Sequence, residues 1–210
     1  MGSALVETAF DHLVMYYEDE GYFADGVARF VEAGLRDDGQ VVVIATPAHA
    51  DNILTALGRR TPEARRARDD GRLHTWDARA VRDELVVDDG LDPDGLERCL
   101  GAWLSSTTGA GHPVSIFGEV VALLWTEGRY GLAHDLEEAW NRLGRRWPFR
   151  LLCAYPMGGF ADDESPTRFL EVCRQHSSVT TESYAGLSPG VGDEAEVVVL
   201  RGDEPGGSID

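Results

Sequence analysis

Carboxylates stand at two places where an α/β chain does its chemistry. One is the turn Tyr17-Glu18-Asp19-Glu20-Gly21-Tyr22, which follows the apolar run Leu13-Val14-Met15-Tyr16-Tyr17, and the other is Glu119, just past Val114-Ser115-Ile116-Phe117-Gly118. A phosphate-binding turn surrounds its anion with glycine N–H groups and a lysine. Here three carboxylates, Glu18, Asp19 and Glu20, complement the dipole of the following helix themselves and repel a triphosphate. Glu119 is placed as a general base or a magnesium ligand; it equally fits a cap for the helix from Val120 or a partner for an arginine. Thr46-Pro47, Asp77 and Tyr155-Pro156-Met157 close further apolar runs. Open parallel sheets bind ligands beyond the carboxyl ends of their strands, so these residues make a mixed aromatic and acidic rim. Such a rim suits a small, partly apolar or cationic ligand. A pocket bordered by Tyr17, Glu18, Glu119 and Tyr155 is expected, with Asp19 and Thr46 beside it. Trp125, Trp140 and Trp147 fit ordinary core packing, and Trp125 is the candidate among them for a pocket floor.

The remaining reactive residue types carry less. His12 opens the first strand at its amino end, away from that rim, and reads as a structural histidine. His49 and Asp51 follow Thr46 closely, where surface capping explains them as well as a ligand would. Cys153 lies inside a strand and no G-x-S-x-G elbow is present, so a thiol or serine enzyme is not indicated. No pair of His or Cys residues stands at ligand spacing on one element, and neither a metal nor a cofactor is expected. Cys99, Cys153 and Cys173 are odd in number and form no CxxC, which points to reduced thiols in the cytoplasm.

The elements that must position the rim follow from periodicity. Strands are expected near 12–17, 40–46, 72–76, 114–118 and 149–155. Between the first two, Phe23, Val27, Phe30, Val31 and Leu35 recur at helical spacing, a β-α-β unit with parallel strands. Helices are read from Pro47 to Leu57, from Pro93 to Ser106 behind Asp92, from Val120 with a break near Gly128, and from Pro166 to His176 behind Ser165. The arginine-rich stretch Arg59 to Arg68 reads as a solvated, partly helical connector, and Ser178 to Tyr184 as a short strand or extended arm. The fold class is α/β: a single three-layer domain with a mainly parallel central sheet and helices on both faces. Residues 1–190 form that domain, and 191–210 add an edge strand at Glu194 to Leu200 and an acidic tail expected to be disordered.

A formal net charge of −18, from 37 acidic against 19 basic residues, disfavours nucleic acid and anionic membranes as partners. No stretch approaches the roughly 18 apolar residues of a membrane span, and the amino terminus has no signal-peptide pattern.

Several separated motifs together resemble one family. They are Tyr16-Tyr17-Glu18-Asp19, Phe30-Val31-Glu32-Ala33-Gly34-Leu35, Phe117-Gly118-Glu119-Val120-Val121, Leu123-Leu124-Trp125, Leu136-Glu137-Glu138-Ala139-Trp140-Asn141 and Leu151-Leu152-Cys153-Ala154-Tyr155-Pro156-Met157, with Glu182-Ser183-Tyr184 downstream. Across residues 10 to 186 the chain resembles the MEDS family, the methanogen/methylotroph, DcmR-type sensory domain. The resemblance implies a domain related to RecA and KaiC-like ATPases that has lost the phosphate-binding loop. It also implies a non-catalytic sensor of small organic compounds that signals to a histidine kinase, an anti-sigma-factor kinase or a transcription regulator, with a homodimer left open. The alternatives are a degenerate module that still binds nucleotide, an enzyme using Glu119 as general base, and a purely structural subunit.

Overall fold

The structure is a computed structural model in which residues 10–160 and 165–181 are described. The chain runs β1 (Asp11–Tyr17), α1 (Glu20–Gly34), β2 (Gln40–Ala45), α2 (Pro47–Arg60), α3 (Glu63–Asp69), β3 (Leu73–Asp77) and α4 (Ala78–Leu85). A small antiparallel pair follows, β4 (Val86–Val87) and β5 (Gly90–Leu91), then α5 (Gly95–Gly109), β6 (Val114–Gly118), α6 (Val120–Thr126) and α7 (Tyr130–Gly144). The described chain closes with β7 (Arg150–Pro156), α8 (Ser165–Gln175) and β8 (Ser178–Thr181). Among the described residues the main sheet has six strands in the order β3-β2-β6-β7-β1-β8, every pairing parallel. The α/β reading with a parallel sheet is therefore correct, and the segment at Ser178 supplies a sixth strand beside β1.

Local chemistry explains the element ends. Asp19 caps α1, its Oδ1 accepting the Tyr22 N–H at 2.8 Å. Thr46 caps α2, which has Pro47 at its first position. Gly128 adopts φ +72 and separates α6 from α7 at the break the pattern marks. The helix expected from Pro93 starts two residues later, because Asp92 turns its side chain onto the Asp94 N–H and pairs with Arg98. The arginine-rich connector contains α3, where Arg72 pairs with Glu63. The expected strand at Glu194 to Leu200, the Glu182-Ser183-Tyr184 motif and the 191–210 tail lie outside the described residues.

Side-chain parity along the strands divides the interior in two. Val14 and Tyr16 of β1 join Cys153 and Tyr155 of β7 on the face covered by α4 to α8. Met15 and Tyr17 point to the opposite face, covered by α1, α2 and α3, where Phe23, Val27, Ile53 and Leu57 are fully buried. Each such side chain contributes roughly 1.5–3 kcal/mol relative to exposure. The chain moves from β1 through β2 to the β3 edge, then returns through β6 and β7. β2 and β6 are thus neighbours whose next helices, α2 and α6, leave for opposite faces, and that divergence opens a crevice at their carboxyl ends.

Candidate functional site

Glu119 fills this crevice. Its backbone N–H donates to the Ile44 carbonyl at 2.9 Å, and its carboxylate turns across to the start of α2. Oε2 accepts the Thr46 N–H at 2.7 Å, while Oε1 meets His49 Nδ1 at 2.6 Å and the Thr46 hydroxyl at 3.4 Å. His49 Nε2 in turn lies 3.1 Å from Glu20. The hydrogen bond to Glu119 raises the His49 pKa above its ordinary value; burial opposes this, and the charges of Glu119 and Glu20 add to it. His49 thus stands between two carboxylates at the start of α2, and the oxygens of Glu119 are turned onto Thr46 and His49.

A second polar centre lies under the other face. Glu137, on α7 and 1% exposed, reaches into the sheet and uses both oxygens. Oε1 accepts the Tyr155 hydroxyl at 2.6 Å and lies 3.4 Å from His176 Nε2. Oε2 is 3.2 Å from His12 Nε2 and 3.5 Å from Cys153 Sγ. Cys153 Sγ is also 3.5 Å from His12 Nε2, and the rings of His12 and His176 are tilted with centroids 4.0 Å apart. Burial by itself would raise the Glu137 carboxyl, but the charges of His176 and His12 and the contact with His12 outweigh it and hold the group below the usual carboxylate range. Burial first, and Glu137 second, push the Cys153 thiol and the Tyr155 phenol well up.

Beside Glu137 a cavity of about 350 Å³ opens between α6, α7 and α8. Trp125, Tyr130 and Tyr155 form its aromatic wall, with Trp125 edge-on to Tyr155 at 5.2 Å and to Tyr130 at 4.8 Å. Arg168 lines the same cavity and sits 4.1 Å over the Tyr130 ring. An aromatic wall with a guanidinium and a buried carboxylate accommodates a small organic molecule that has a flat or apolar body and a polar end.

The model of the family MEthanogen/methylotroph, DcmR Sensory domain matches residues 11–177, most of this chain. The chain belongs to the MEDS family. A search of curated proteins finds no match to it. Among solved structures, an uncharacterized protein from Pyrococcus horikoshii crystallised with an unknown peptide is similar over 83% of the MEDS chain and 77% of its own, at 12% identity and TM-score 0.46. EccC of Thermomonospora curvata (ATPases 2 and 3), in complex with a signal sequence peptide, is similar over 87% of this chain and 32% of its own, at 14% identity and TM-score 0.42. No helix among the described residues is long and apolar enough to cross a membrane.

The MEDS chain distributes the residues expected at one rim between two faces. Tyr16, not Tyr17, is the register partner of Tyr155, so Tyr17 faces away from it and packs on Phe23 at 4.5 Å. The expected single pocket bordered by Tyr17, Glu18, Glu119 and Tyr155 is therefore corrected: strand parity separates its two tyrosines. Thr46 and Glu119 come together in the α2 network; Glu18 is exposed, and Asp19 is the α1 cap. Trp125 and Tyr155 do meet, on the other face, in the wall of the cavity. Glu119 holds the backbone cap position of α6 without a side-chain bond there; its carboxylate serves α2 instead. His12, read as structural, is buried against Glu137, and the expectation that no metal-type set exists rested on spacing within single elements. The fold collects His12, Glu137, Cys153 and His176 from separate elements, with their ligand-type atoms all within 4.8 Å of one another. Glu137 and His176 were missed as site residues; a carboxylate on the inward face of α7, at helical spacing with Ala133, Trp140 and Gly144, is the signal that marks the first.

Proposed function

We infer that this MEDS domain is a non-catalytic sensor that binds a small organic molecule in the cavity between α6, α7 and α8. Family membership supplies the sensory role. The observation that carries the ligand site is the aromatic cavity of about 350 Å³ set against the buried Glu137 carboxylate. Trp125, Tyr130 and Tyr155 hold the body of the ligand, and Arg168 orients its polar end. Occupancy is read by a cytoplasmic partner such as a histidine kinase, an anti-sigma-factor kinase or a transcription regulator. Nucleotide binding is the weaker reading, since Glu119 fills the crevice at the topological switch and Asp19 and Glu20 line the first turn. Catalysis by Glu119 is weaker still, because its oxygens are already engaged by Thr46 and His49.

Gly131 gives the test. It lines the cavity, and a Cβ built on it meets nothing within 4 Å. Gly131→Trp adds a large ring at the cavity lining, where the first added carbon has open space around it. Small aromatic and aliphatic acids, alcohols and halides are screened by thermal shift and native mass spectrometry. A ligand at 100 times its Kd stabilises by about 2.7 kcal/mol. The shift must vanish in Gly131→Trp; a ligand that stabilises this variant as much as the unaltered chain binds elsewhere.

A further inference from the structure

The structure assigns a closed binding site for a divalent transition metal of the zinc type to His12, Glu137, Cys153 and His176. It stands whether or not the neighbouring cavity takes an organic ligand. Two imidazoles, a thiolate and a carboxylate are the donor types such an ion takes. A tetrahedral ion bound at about 2.0–2.3 Å needs its donors about 3.3–3.8 Å apart. The separations already present are 3.2 Å for His12 to Glu137, 3.4 Å for His176 to Glu137, and 3.5 Å from Cys153 to both His12 and Glu137. Glu137 meets His176 with Oε1 and His12 and Cys153 with Oε2, and one donor atom from each of the four residues lies within 4.8 Å of the others, so a small rotation of the carboxylate and the His176 ring would bring donors from β1, α7, β7 and the residue after α8 to tetrahedral spacing.

The hydrogen bonds behind the histidines orient them as ligands. The Asn141 Nδ2 donates to the Gln175 carbonyl at 3.2 Å and to Gln175 Oε1 at 2.9 Å. That leaves Asn141 Oδ1 as the acceptor facing His12 Nδ1 at 3.0 Å, so Nδ1 carries a proton and Nε2 faces the cluster. His176 Nδ1 donates to the Val172 carbonyl at 2.6 Å, which fixes the same orientation. Imidazoles that bind metal commonly donate their second ring N–H to a carbonyl in this way.

The group is incomplete without an ion. His176 Nε2 is fully buried and has no hydrogen-bond partner among the described residues; Glu137 is near but misaligned. A divalent ion satisfies every donor, and with Glu137 ionised and the Cys153 thiol proton released to solvent, two negative ligands balance its charge.

The full chain, stripped with a chelator, is titrated with Co²⁺ as a spectroscopic probe. The expected result is one equivalent bound with intense tetrahedral d–d bands and a thiolate-to-cobalt charge-transfer band, both erased by Zn²⁺. Cys153→Ser removes the charge-transfer band, while the double change Cys99→Ser, Cys173→Ser keeps it, which identifies the thiolate even if Cys153→Ser folds poorly. Asn141→Leu, checked for fold by circular dichroism, weakens binding by about 10–100-fold. Weak octahedral bands, a charge-transfer band lost with Cys99 or Cys173 rather than Cys153, or no binding by the folded chain would overturn the assignment. None of these outcomes bears on whether the cavity binds an organic ligand, which Gly131→Trp reads separately.

Discussion

Removing the Glu119 carboxylate should damage stability, not ligand response. The Thr46 N–H donates to it at 2.7 Å in a buried setting, and His49 Nδ1 lies 2.6 Å away in a partly exposed one. A hydrogen bond to a charged group contributes about 1.5–3 kcal/mol, and a stranded buried donor costs about 1–3 kcal/mol. The first bond is lost with its donor stranded, and the second is discounted for its exposure, so Glu119→Ala should lose about 3 kcal/mol. Glu119→Gln keeps an oxygen for the Thr46 N–H and gives up the charge, at about 1 kcal/mol. Against a total of about 5–15 kcal/mol these differences are resolved by urea unfolding. The side-chain signal of His49, followed by NMR titration, should also fall back toward the ordinary histidine range in Glu119→Gln. If Glu119→Ala unfolds within about 0.5 kcal/mol of the unaltered chain, the α2 network is not what the carboxylate is for.

The His49 pair also sets a pH dependence: its folded pKa lies above the unfolded value of 6.5, so its contribution is complete below that value and declines as pH rises through the folded pKa. Urea midpoints that do not fall between pH 6 and 9 relative to a His49→Gln control would contradict this. Gly39→Ala places a Cβ 1.9 Å from the Gly34 carbonyl oxygen and should cost at least about 1–3 kcal/mol. Gly58→Ala, inside α2 with nothing within 4 Å, should instead stabilise by about 0.5–1 kcal/mol, and denaturation of the two variants compares them directly. Tyr155→Phe removes the 2.6 Å bond to Glu137 and should lower unfolding stability by about 2 kcal/mol; no change would mean that the hydroxyl is not holding the carboxylate.

The strands were legible because each is a short apolar run of the kind a two-sided parallel sheet requires, as in Val41-Val42-Val43-Ile44. The helix break at Gly128 was legible too, whereas Asp19 and Thr46, read as pocket residues, cap α1 and α2. The site was harder to read because strand-end position says how high a residue sits and not which face it takes. Tyr16 and Tyr17 are adjacent and equally aromatic, and only the register against β7 decides which of them meets Tyr155. The cluster around Glu137 was hidden for another reason. His12 and His176 are 164 positions apart and touch only because β8 returns to lie beside β1, a long-range pairing that no local pattern encodes.

α8 is held at both of its jobs by the same few bonds. It forms the outer wall of the cavity through Arg168 and Val172, and it runs directly into Ser177, whose N–H donates to the His12 carbonyl at 2.6 Å and starts the pairing of β8 with β1. Wall and edge strand are joined by only His176 and Ser177, so a displacement of the helix reaches the sheet margin through a two-residue link. Thermodynamic reciprocity then applies. A molecule in the cavity that alters how firmly β8 is seated must change the affinity of anything gripping that margin, and whatever grips the margin changes the affinity of the cavity by the same factor. If the domain signals through that margin, a partner seated there is as much an effector of the ligand as the ligand is of the partner.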